Sequence, residues 1–190
     1  MRRMNSILKM VGISLILCCI LSAVFLKIYT SYSASEVNSI YLKISEKIPS
    51  RTVGISGEYS TLEMPVLQVD NKDYVCLLEV PDFDVEIPIN NNWDKVLFAK
   101  TPSRFWGSAY DGSLVIGCNN VSGQLNFCSK IDLGEKIVIT DMLGTEFSYK
   151  VAKIERIKSP KFEEISSKEY AFTIFQQEKL SSTYIIVRCQ

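Results

Sequence analysis

A chain of 190 residues, 47% hydrophobic and 22% charged, can form one ordinary domain with attachments and is too apolar for global disorder. Its 21 basic and 21 acidic side chains cancel, so no overall charge favours nucleic acid. The absence of histidine removes imidazole zinc ligands, imidazole general bases and histidine pH switches.

The N-terminus carries Arg2, Arg3 and Lys9, after which Met10–Leu26 runs without a charge until Lys27. At about 1.5 Å per residue, a helix through this run reaches across a hydrocarbon core of ~30 Å. The basic flank predicts residues 1–9 in the cytoplasm, a membrane anchor over 10–28, and the rest of the chain outside. The competing reading is a cleaved signal peptide, with "SYSAS" at 31–35 as its processing site. Val37, Ile40, Tyr41, Ile44 and Ile48 then recur at helical spacing behind Ser35, an N-cap residue. They predict a short amphipathic helix ended by Pro49. Residues 49–72 are polar with little periodicity and read as a linker, so 29–72 is expected to be an extracellular helix and linker.

From Asp73 the pattern is that of short strands. "YVCLLEVP" (74–81) and "VEIPI" (85–89) are β-type runs broken by Pro81 and Pro88, and "SLVIG" (113–117) and "KIVITD" (136–141) are apolar strands. "EFSYKVAKIE" (146–155) alternates, with Phe147, Tyr149 and Val151 on one face and Ser148 and Lys150 on the other. "MLGT" (142–145) between the last two runs reads as a hairpin turn. "FTIFQ" and "TYIIVRC" follow. Seven or more short strands with few helical stretches predict an all-β closed barrel or sandwich over 73–190.

The six cysteines form no C-x-x-C pair. Cys18 and Cys19 lie in the apolar run. Cys76, Cys118, Cys128 and Cys189 remain open to being buried thiols, a disulfide pair or a reactive thiol. Asp82, Asp84 and Glu86 alternate like half a calcium site and are read as a solvated strand face. No metal and no cofactor is expected.

Four stretches in order carry a resemblance: "YVCLLEVPDFDVEIPI", "PSRFWGSAYDGSLVIG", "IDLGEKIVITDMLGTEFSYKV" and "FTIFQ…IIVRC". Over 73–190 the chain resembles the sortases, membrane-anchored cysteine transpeptidases of Gram-positive bacteria. The resemblance implies a closed eight-stranded barrel with short helices in its loops, behind an N-terminal transmembrane helix. It also implies a chemistry: a thiolate attacks a sorting-signal peptide, a histidine moves the proton, and an arginine steadies the oxyanion.

Carried over residue by residue, the functional positions are changed. "FTIFQQ" laid on the family's Leu-Thr-Leu-x-Thr-Cys puts Gln177 at the nucleophile. "LVIGCNN" puts Asn119 at the histidine, and the strand "YIIVRC" puts Tyr184 at the arginine. A carboxamide is no nucleophile and does not titrate, whereas the tyrosine keeps an O–H donor. The implied protein is a catalytically inactive pseudo-sortase. Its retained groove would be lined by Asn119, Asn120, Thr173, Gln176, Gln177 and Tyr184 and would bind a sorting-signal-like peptide or a surface protein such as a pilin or an active sortase.

Two alternatives stand beside this reading. One is an active transpeptidase or peptidase with Cys118 as a relocated nucleophile, although strand alternation turns Cys118 away if Asn119 faces the cleft. The other is a purely structural envelope domain. Trp93, Phe105 and Trp106 are expected to pack as core or lid, Arg104 to pair with a buried carboxylate, and Lys158–Lys161 with Glu163 and Glu164 to lie in a wall-forming loop.

Overall fold

The computed structural model describes the backbone of residues 2–55, 62–93, 101–119, 124–178 and 181–190, and the side chains of these except at 2–9, 26–34 and 119. Two compact units are present, Met1–Glu36 and Val37–Gln190. Helix α1 (Arg2–Ser45) belongs to both. The two helices expected on either side of residues 29–34 are therefore one, because neither Gly nor Pro interrupts the chain between Gly12 and Pro49. Among the described residues no helix is long and apolar enough to cross a membrane.

The last turns of α1 use the amphipathic stripe read from the sequence. Ile40, Tyr41 and Ile44 are buried with Val69, Tyr74, Leu77 and Met142. Polar contacts fix the same end of the helix. Arg51 Nη2 donates to Glu79 Oε1 at 2.6 Å and its Nη1 to Glu146 Oε1 at 2.9 Å, while Tyr41 donates its hydroxyl proton to Glu79 Oε1 at 2.9 Å. Burial, then the Glu79 contact, pushes the Tyr41 phenol up to about 12. The neutral hydroxyl is thus the form that the docked helix holds.

The strands are β1 (Thr52–Val53), β2 (Leu67–Val69), β3 (Lys72–Val80), β4 (Val85–Asn90), β5 (Ser103–Trp106), β6 (Leu114–Asn119), β7 (Lys136–Asp141), β8 (Thr145–Lys158), β9 (Phe172–Gln177) and β10 (Thr183–Cys189). Eight of them close a ring in the order β8-β10-β9-β6-β5-β4-β3-β7 and back to β8, with β1 added beside β8 and β2 beside β3. The barrel expectation holds and the sandwich does not. β1 and β2 fall inside the stretch read as a linker. Short 3-10 turns (Pro81–Phe83 and Asn126–Ser129) and one helical turn, α2 (Phe162–Ile165), occupy the connections.

Local chemistry explains several of these elements. β8 alternates as read, with Phe147, Tyr149 and Val151 buried and Ser148 and Lys150 exposed. β3 shows no alternation because both of its faces are covered: Cys76, Leu78 and Val80 join the barrel core, while Tyr74 and Leu77 join the cluster that holds α1. Pro88 is tolerated in β4 because that strand meets β5 only at Asn90. The β7–β8 turn is built by Asp141, whose Oδ1 accepts from Leu143 N and Thr145 N, both at 2.8 Å, and whose Oδ2 accepts from the Tyr110 hydroxyl at 2.6 Å.

β6 and β9 run parallel, and their register sets Gly117 beside Phe175. A Cβ on Gly117 would collide with the Phe175 ring, which is 2% exposed and has no room to retreat. Gly117→Ala is expected to destabilise the fold by about 1–3 kcal/mol through this overpacking. Chemical denaturation of the variant against the parent checks it; an unchanged midpoint would refute the packing account.

Candidate functional site

The sheet register brings the three sequence-singled positions into one row. Asn119 at the end of β6 pairs with Gln177 at the end of β9, and Gln177 pairs with Tyr184 at the start of β10. Neighbouring strands lie ~4.8 Å apart, so the row spans about 10 Å. Asn119 is placed here by its backbone alone, and Asn120 lies outside the described residues.

Each of the two side chains described in this row has a structural task. Gln177 is half-buried and donates its Nε2–H to Ser181 O at 2.9 Å, closing the β9–β10 connection. Tyr184 is half-buried against Phe175, ring centroids 6.1 Å apart, and burial raises its phenol above the ordinary value. The row therefore offers a carboxamide already bonded to its own loop and a neutral hydroxyl. Neither is a nucleophile or a proton carrier near neutral pH.

Thr173 and Gln176, expected to line the groove, are both 1% exposed. The Thr173 hydroxyl oxygen accepts from Arg188 Nη1 at 3.3 Å. Gln176 follows the strand's two-residue period onto the barrel-facing side with Phe172 and Ile174, and among the described residues its Nε2 has no hydrogen-bond partner.

Cys118 lies on that same inner side and is 0% exposed within the main core. None of the six cysteines is in a disulfide. Burial pushes the Cys76 thiol well up and the Cys189 thiol to about 12. Burial also raises the Cys128 thiol well above its ordinary value, with smaller contributions from Cys189 and Cys118 beside it. These groups stay protonated and are poor nucleophiles. In the native protein, iodoacetamide is expected to leave Cys76, Cys118, Cys128 and Cys189 unlabelled, and to label all of them in urea. Peptide mass spectrometry reads this site by site, and rapid native labelling of Cys118 would contradict the burial.

The outer face of β6, β9 and β10 is covered by aromatic rings. Trp93 meets Phe105 edge-on at 4.6 Å, Phe105 meets Phe175 at 5.1 Å and Phe162 at 5.7 Å, and Phe162 meets Trp106 at 5.4 Å. The expectation that Trp93, Phe105 and Trp106 pack as core or lid holds for Trp93 and Phe105, which lie against the Val115–Phe175–Ile186 cluster. Trp106 is 52% exposed and stands between two grooves of about 560 and 580 Å³. Arg104 also departs from expectation: among the described residues its partner is Asn91, whose Oδ1 accepts from Nη2 at 2.5 Å, and not a carboxylate.

Arg188 was missed as a key residue. It is 3% exposed and donates from Nη1 to Ile165 O at 2.6 Å, from Nη2 to Glu164 O, and from Nε to Glu155 Oε2 at 3.1 Å. Its guanidinium also lies 5.6 Å from the centre of the Tyr170 ring. Hydrogen bonds from Lys153 and Arg188 hold the Glu155 carboxyl below its usual range. One side chain thus fastens the β8–β9 connection, with α2 and Phe162, onto the outer face of the sheet. A charge inside the apolar strand "YIIVRC" was the available signal, since an arginine there needs buried partners. Arg188→Ala is expected to cost about 2–4 kcal/mol and to raise amide hydrogen exchange selectively over residues 161–170. Uniform exchange behaviour would deny Arg188 this role.

No protein-family model and no curated protein matches the sequence. Solved structures do match. Sortase A from Corynebacterium diphtheriae, a lid mutant, aligns with a TM-score of 0.52 at 16% identity, covering 62% of this chain and 69% of that one. A sortase D5 transpeptidase from Clostridium perfringens gives 0.52 at 17%, covering 62% and 78%. Clostridium perfringens sortase C, in a structure with the C-terminal cell wall sorting motif, gives 0.51 at 16%, covering 67% and 71%. The eight-stranded barrel is therefore the sortase fold.

Proposed function

We propose that this chain is a sortase-fold recognition protein of the cell surface that does not transpeptidate. In this reading it binds a sorting-signal-like peptide or a surface protein such as a pilin subunit or an active sortase. The observation that carries it is the row Asn119–Gln177–Tyr184: the three altered positions lie side by side at the ends of β6, β9 and β10, in a chain without histidine. Removing a triad nucleophile alone costs on the order of 10⁶ in rate in a serine protease, and this chain has no histidine to serve as the base. Burial of Cys118 in the core argues against a relocated thiol. The uncharged run Met10–Leu26 behind Arg2, Arg3 and Lys9 supports a single-pass anchor with residues 1–9 cytoplasmic and the barrel outside.

The test uses the full chain in detergent micelles with fluorescent sorting-motif peptides and an amine acceptor. Saturable binding without cleavage, and no thioacyl adduct by mass spectrometry, is the expected result. Gln177→Cys is expected to gain an alkylatable thiol without turnover, because the chain has no histidine to accept the proton. Turnover by the unmodified chain would overturn the proposal, and failure to bind any peptide or surface partner would favour a purely structural domain.

A further inference from the structure

Among the described residues, the groove of about 560 Å³ beside Trp106 is lined by one cation, Arg104. Arg104 on β5 is half-buried, and its hydrogen bond to Asn91 Oδ1 uses one of its five N–H donors. Asn91 is itself braced, its Nδ2 donating to Asn92 Oδ1 at 3.3 Å, so the guanidinium is held in a set orientation. Among the described residues no carboxylate pairs with Arg104. Arg104 lines the groove, so its guanidinium borders the open space there. The walls beside it are aromatic, Trp93 and Trp106.

We infer that this groove is a carboxylate-binding subsite in which Arg104, oriented by Asn91, receives a carboxylate of a bound peptide while Trp93 and Trp106 flank the peptide chain. The inference rests on the peptide-binding reading above and names the chemistry of its ligand. A partly desolvated guanidinium is best compensated by a planar anion that takes two of its parallel N–H donors. Glu63 and Asp111 line the same groove, and their charge favours a monoanion over a phosphate dianion. The volume falls within the range that holds a few residues of an extended ligand.

The chain has two tryptophans, Trp93 and Trp106, and both line this groove, so intrinsic fluorescence reports on it directly. The full chain in detergent is titrated with N-acetylated penta-alanine carrying a free C-terminal carboxylate, with the same peptide amidated, with N-acetylglycine, and with inorganic phosphate. The carboxylate peptide is expected to give a saturable change with a Kd at least about tenfold below that of the amide. Arg104→Gln is expected to bring the two peptides to equal affinity. Asn91→Ala, which keeps the charge but removes its support, is expected to shrink the difference. This second variant keeps the test open if Arg104→Gln unfolds, which thermal melts would show.

Equal binding of both peptides by the unmodified chain overturns the subsite and leaves the peptide-binding reading standing. Arg104-dependent binding of N-acetylglycine, with no gain from the peptide chain, supports the carboxylate subsite and removes the peptide groove. Phosphate binding tighter than either carboxylate overturns the ligand class. No response to any probe overturns the inference outright.

Discussion

Phe175 lies across Gly117 because β9 runs parallel to β6 in a single register, and most of the molecule's chemistry follows from that pairing. A strand turns alternate side chains to opposite faces. Phe172, Ile174 and Gln176 therefore enter the barrel beside Leu114, Ile116 and Cys118, while Thr173, Phe175 and Gln177 face outward. A slip by one residue would exchange the two sets, putting an amide and a hydroxyl into the core. The contact forbids a side chain at Gly117 and thereby ties the burial of Cys118 to the position of the row at the strand ends. Inertness of the thiol and presentation of Gln177 are two faces of one arrangement.

Arg188 and Arg104 illustrate opposite uses of the same group. Arg188 is sealed in and spends its donors on two backbone carbonyls, a hydroxyl and Glu155, as a buried guanidinium must. Arg104 borders a groove and, among the described residues, bonds to one asparagine. The first fixes a connection onto the sheet; the second faces a groove. The aromatic series from Trp93 to Phe162 fills the outer face with apolar surface.

Much of this was legible from residue order alone. Alternation in β8, the turn at "MLGT" and the period of Ile40, Tyr41 and Ile44 each state a local rule, and the structure follows them. The row of Asn119, Gln177 and Tyr184 was reachable only through resemblance, since nothing local says that residues 58 and 65 positions apart along the chain share a register. What failed did so for reasons of tertiary context. β1 and β2 are too short to show a period and gain their order from β8 and β3. β5, inside "PSRFW", has a bulge that breaks its alternation. Gln176 and Thr173 looked available because a one-dimensional motif carries no burial.

The position of β10 has a consequence for how the chain reaches this state. It lies between β8 and β9, pairing with both, and β9 in turn pairs with β6, more than fifty residues earlier in sequence. Until Thr183–Cys189 are in place the ring is open, with the edges of β8 and β9 unpaired and Ile185, Val187 and Cys189 missing from the core. Such non-local closure is slow and leaves sticky strand edges exposed while it is pending. A chain delivered N-terminus first would therefore pass through an unclosed, aggregation-prone intermediate, and its folding would be governed by the arrival of its final strand rather than by the formation of its first.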